Sequence, residues 1–77
     1  MPRKVASEIA RENLGRKVRE LRLSLNMSQA DLADKAKARQ ALISKIERGE
    51  ANPTFDSIVK IASALGVRAG ELLDYLQ

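Results

Sequence analysis

An all-α domain of five helices built around a central helix-turn-helix is the fold this sequence predicts, on three observations. Apolar residues return every three or four positions through most of the chain, as in a buried helical stripe, and show no strand-like alternation. Between Ser28 and Gly49, two short apolar stretches flank a break at Lys37 and Ala38. The 77 residues include no Cys and no His, so disulfides and the commonest metal ligands cannot staple so small a core. Helix packing and association with a second subunit remain as sources of stability.

The first helix is expected from about Ser7 to Leu25 or Asn26, with Ile9, Leu14, Val18, Leu21 and Leu25 as its apolar positions. Residues 1–6 are expected to fray, because Pro2, Arg3 and Lys4 have nothing evident to pack against. Gly15 costs about 1 kcal/mol relative to Ala within a helix and is expected to separate a loosely held N-terminal turn from the core helix. The chain then divides into an N-terminal extension, 1–13, partly helical or frayed, and a domain spanning 14–77. The extension is either an arm along a bound partner or a tail, and the tail is favoured.

The second helix opens at Ser28, whose hydroxyl can accept from the N–H of Asp31, with that carboxylate in the positively polarised first turn. Leu32, Ala33 and Ala36 form its apolar face. Leu42, Ile43 and Ile46 mark the third helix, which Gly49 stops. Val18, Leu21, Arg22 and Leu25 share one stripe, so Arg22 points inward, and Glu47 does the same beside Ile43 and Ile46. Isolated charges there would cost several kcal/mol, about what burial of an unpaired ion demands. An Arg22–Glu47 pair between the first and third helices is therefore expected.

A loop, Glu50-Ala51-Asn52-Pro53, leads to Thr54 as the next N-cap, with Asp56 in the first turn. Phe55, Ile58, Ile61, Ala62 and Leu65 form the apolar stripe of the fourth helix, and Gly66 ends it. A short last helix carries Leu72, Leu73 and Leu76, weakened at its start by Gly70.

Charge distinguishes the two ends of the chain. Residues 1–25 hold seven basic and three acidic side chains, 26–49 five and three, and 50–77 two and four, within a net charge of +4. A basic front and an acidic rear suit either a protein that lays one surface on a phosphate backbone or a solvated lysine-arginine face of the kind common in small helical proteins, and charge alone does not separate the two. On the outer face of the third helix stand Arg39, Gln40, Ala41, Ser44, Lys45 and Arg48, side chains suited to a DNA groove.

Arg19, Leu21-Arg22, Ser28-Gln29, Leu32-Ala33, Ala36, the run Ile43-Ser44-Lys45-Ile46-Glu47-Arg48-Gly49, Asn52-Pro53, Ile61-Ala62 and Ala64-Leu65-Gly66-Val67 together resemble the Cro and phage-repressor (XRE) family of helix-turn-helix proteins. The resemblance covers roughly Leu14 to Leu73, most of the chain. It implies a compact domain of the phage-repressor DNA-binding type, in which Arg22 and Glu47 pair and Gln29 grips the DNA backbone from the start of the second helix. Carried over to the third helix, it implies base reading by Gln40 at adenine and Lys45 at guanine, with Ala41 touching a thymine methyl. Arg39 faces either a guanine or a phosphate. Ser44 and Arg48 are expected on phosphates. Proteins of this kind bind operators, expected here to be palindromic, as homodimers. Val59, Leu72, Tyr75 and Leu76 are the candidates for the dimer surface, unless Leu72 and Leu76 complete the monomer core. The chain departs from the family in three places: Lys37 stands where the turn usually has Gly, Ala38 or Arg39 where the third helix usually has a Ser or Thr cap, and Arg68 where the last helix usually has a small polar one.

The expected function is that of a cytoplasmic, sequence-specific double-stranded-DNA-binding regulator, a repressor or autoregulator. The alternative is an antitoxin-type protein whose main task is binding a partner toxin. An enzyme is not expected, because the chain has neither an imidazole base nor a thiolate and its carboxylates are scattered. No cofactor, metal, membrane or small-molecule ligand is implied.

Overall fold

A computed structural model describes residues 5–76. Five α-helices follow one another: α1 (Ala6–Ser24), α2 (Gln29–Ala36), α3 (Gln40–Glu47), α4 (Phe55–Leu65) and α5 (Ala69–Leu73), with a 3-10 turn, Asp74–Leu76, closing the described chain. Among the described residues there is no strand, and no helix is long and apolar enough to cross a membrane. Residues 1–4 of the segment expected to fray lie outside the described residues; Ala6 is already helical.

The first four helices end in the same hydrogen-bonded stop. A left-handed residue follows each one, Asn26, Lys37, Gly49 and Gly66, with φ of 56°, 54°, 73° and 73°. Beyond each, the next N–H reaches five residues back: Met27 to Arg22, Ala38 to Ala33, Glu50 to Lys45 and Val67 to Ala62. This geometry satisfies carbonyls that a helix end leaves bare. Asn tolerates the left-handed region and Gly is free there, whereas a lysine in it costs about 1–2 kcal/mol. Lys37 therefore keeps the turn that the family builds on Gly, at some cost in strain.

Leu14 and Val18 of α1, Leu32, Ala33 and Ala36 of α2, Ile43 and Ile46 of α3, Ile58, Ile61, Ala62 and Leu65 of α4, and Leu72 of α5 form one core. Three expected core positions fall outside it. Ile9 and Leu25 are half exposed, because the inward face of α1 runs through Ala10, Leu14, Val18 and Arg22 and stops short of both. Phe55, at 64% exposure, is the first residue of α4 and lies beyond the covered part of its stripe. Leu72, a dimer candidate, is 0% exposed and belongs to the monomer core, against which the half-buried Leu76 also packs.

Gly15 does not divide α1, which is continuous from Ala6 to Ser24. It is the point of closest approach to α3. A Cβ built there would lie far inside van der Waals contact with the Ile46 carbonyl oxygen and 2.9 Å from that of Glu47. Gly49 meets the same helix from the other side, where a Cβ would lie 2.9 Å from the Cγ of Glu12. Two glycines thus let the C-terminal end of α3 rest almost backbone to backbone on α1.

Candidate nucleic-acid interface

The N-terminus of α2 is capped reciprocally by Ser28 and Asp31. Ser28 is extended, its Oγ accepts from the Asp31 N–H at 2.9 Å, and an Asp31 carboxylate oxygen accepts from the Ser28 N–H at 2.9 Å. These contacts, the backbone hydrogen bond foremost, hold the Asp31 carboxyl below its usual pKa. Gln29 follows as the first residue of α2, half-buried.

Arg22 and Glu47 meet as expected. Arg22 Nε donates to Glu47 Oε2 at 2.6 Å and Nη2 to Oε1 at 2.9 Å, a two-pronged contact with both side chains nearly buried. Arg22 Nη1 also donates to the Met27 carbonyl at 2.7 Å, fixing the loop ahead of α2. The hydrogen bond to Glu47 raises the Arg22 pKa further, against the opposing effect of burial. Sequence reasoning missed one further member of the cluster: the Gln29 amide donates through Nε2 to Glu47 Oε1 at 3.2 Å.

On α3 the side chains of Arg39, Gln40, Ala41, Lys45 and Arg48 are exposed. Arg39 is the N-cap, and no side chain caps the helix there. Ser44, expected on a phosphate, is half-buried and accepts from Arg48 Nη1 at 2.7 Å, while Arg48 Nε pairs with the Glu50 carboxylate. Ser44 and Arg48 are thus joined to each other in the free protein. In the C-terminal third, Val59 and Tyr75 are exposed as the sequence suggested, and Tyr75 has the Lys17 ammonium 5.9 Å from its ring centroid. Phe55, one turn before Val59, adds a second exposed apolar side chain to α4. The signal that could have found it was its place in the first turn, beside a cap that must face water.

The comparisons agree with this geometry. A family model described as HTH_3, helix-turn-helix, matches residues 18–72. The chain is 50% identical over 62 residues to the control protein C.BamHI of Bacillus amyloliquefaciens, covering 79% of this chain and 76% of that one. Its structure is similar, with a TM-score of 0.77 and 31% identity, to the restriction-modification controller protein C.AhdI of Aeromonas hydrophila, over 88% of this chain and 98% of that one. It is also similar to SinR, a master regulator for biofilm formation solved in complex with DNA, with a TM-score of 0.75 and 31% identity over 79% of this chain and 98% of that one. Some matched proteins are longer: the chain spans 38% of one transcriptional regulator and 42% of one immunity repressor.

Proposed function

We infer, from the premise that this chain belongs to the HTH_3 helix-turn-helix family, how it engages its target. It is a DNA-binding transcriptional regulator. In our reading α3 enters the major groove of an operator, with Gln40 on adenine, Lys45 on guanine, Ala41 against a thymine methyl, and Arg39 at the groove entrance. Gln29, at the positively polarised start of α2, takes a phosphate. Arg48, with Ser44 bracing it, takes another by exchanging Glu50 for the backbone.

The single observation that carries the reading is the exposed row Arg39, Gln40, Ala41 and Lys45 on a helix whose opposite side, Ile43 and Ile46, is sealed in the core. We further propose a cytoplasmic homodimer on a palindromic operator. Phe55 and Val59, exposed one turn apart on α4, and the exposed Tyr75 are its proposed apolar contacts. The segments 1–13 and 14–77 are proposed as an extension and the DNA-binding domain, with α1 of the domain continued backwards into the extension.

Selection from random duplexes tests the operator, its symmetry and its half-site spacing together. Enrichment of an inverted repeat with half-sites about 34 Å apart is expected for a two-fold dimer. Gln40→Ala is expected to cost about 1–3 kcal/mol and to relax preference at one base pair in each half-site. No enrichment, or an unchanged site with Gln40→Ala, would overturn the assignment.

A further inference from the structure

We propose that Glu47 is a positioning residue for DNA binding: it holds the Gln29 side chain ready for its phosphate before DNA arrives. The inference rests on the phosphate role proposed above for Gln29. Glu47 Oε1 accepts two hydrogen bonds, from Arg22 Nη2 at 2.9 Å and from Gln29 Nε2 at 3.2 Å. A carboxylate can only accept, so it is the NH₂ end of the amide that must face Glu47. One N–H is spent on Glu47 and the second remains available to a phosphate oxygen.

The carboxylate itself cannot drift. Its side chain is 4% exposed, and Arg22, bonded to it by two nitrogens, is bonded by the third to the Met27 carbonyl in the loop before α2. One cluster therefore links the end of α1, the loop before α2, the first residue of α2 and the last residue of α3. An unheld glutamine samples many rotamers, and fixing it only on binding would reduce affinity; fixing it beforehand is worth about two- to tenfold per half-site. The ion pair thereby serves the interface as well as the fold.

The experiment measures Kd for a duplex recovered by selection, with wild type, Gln29→Ala, Glu47→Gln and the double variant, each checked by thermal unfolding. Relaxation of the Gln29 side-chain ¹⁵N is followed in parallel for wild type and Glu47→Gln. Per half-site, and so squared for a dimer on an inverted repeat, Gln29→Ala is expected to weaken binding about tenfold, the loss of a hydrogen bond to a charged group. Glu47→Gln keeps a single accepting oxygen, which the charged Arg22 claims ahead of Gln29; it is expected to weaken binding about two- to tenfold per half-site, to free the Gln29 amide, and to leave the preferred sequence unchanged. In the Gln29→Ala background it is expected to add less than about twofold, within the usual error of additivity. If Glu47→Gln does not fold, Arg22→Met with Glu47→Met replaces it in both backgrounds, because an apolar pair of similar volume is generally tolerated. Equal losses in the two backgrounds, or a Gln29 amide as ordered without Glu47 as with it, would overturn the inference alone. Unchanged affinity in Gln29→Ala would overturn the phosphate role, and the inference with it.

Discussion

α2 and α3 are each eight residues long, and they are secured at opposite ends. α2 is closed at its start by the reciprocal Ser28–Asp31 contacts, and its far end turns through a lysine in the left-handed region. α3 starts at Arg39 with no side-chain cap, and its far end is held at three points, with Ile46 buried, Glu47 paired to Arg22 and Gly49 against Glu12. The difference separates two tasks. The start of α2 is fixed in advance and suits a contact that every DNA sequence offers, whereas α3 is anchored from behind and has no side-chain cap on the first turn that we propose as the reader of sequence.

Breaking the anchored end of α3 should have the largest effect. Arg22→Met leaves Glu47 buried without its partner and is expected to cost about 3–5 kcal/mol. Urea unfolding checks it, and a loss below about 1 kcal/mol would place the pair among ordinary surface bridges. Gly15→Ala comes next. Its new methyl meets backbone carbonyls of Ile46 and Glu47, which cannot step aside as a side chain would. Overpacking of this kind costs about 1–3 kcal/mol, and in a domain of this size each kcal/mol lowers Tm by about 4–8 °C. Since Ala is otherwise the better helix residue, a gain in stability would show that α1 and α3 do not touch there.

Gly15 also marks where sequence reading stops. Ser28, Thr54, Gly49 and Gly66 were legible because a cap or a stop is local chemistry: the side chain acts on backbone a few residues away. The Arg22–Glu47 pair was legible for a different reason, since two opposite charges at core spacing on separate helices have few other solutions. The glycine requirement depends on where two helices cross, and Gln29 with Glu47 is a contact between residues 18 apart, so neither has a local signature. Ile9, Leu25 and Phe55 mislead for a related reason. Periodicity identifies a helical face but not how far along the helix a neighbour covers it, and all three lie toward helix ends.

The two starts can be set against each other directly. Ser28→Ala removes an N-cap and is expected to cost about 1 kcal/mol of stability, read as a fall in Tm. Arg39→Ala removes no cap, so its Tm is expected to move by less than about 0.5 kcal/mol in equivalent stability, while affinity for the selected duplex falls. If Arg39→Ala destabilised the protein as much as Ser28→Ala, the start of α3 would not be the open end described.

The smallest expected effect uses acid to loosen one start and leave the other. Asp31 accepts the Ser28 N–H in the folded protein and has no such donor when unfolded, so its pKa is lower folded than unfolded. In the pH range between those two values the unfolded chain binds more protons, and stability there rises with pH. The contribution is therefore complete above the ordinary Asp value of about 3.9 and disappears as the pH falls through the folded value. The first turn of α3 has no acidic residue to respond in the same way. Other carboxylates titrate alongside, so the measurement is the difference in unfolding free energy between wild type and Asp31→Asn. That gap is expected to be constant near neutrality and to shrink on acidification, with amide protection, measured against the intrinsic exchange rate at each pH, falling in the first turn of α2 and not in that of α3. A gap that stays the same across the acid range would show that the carboxylate charge plays no part in closing α2.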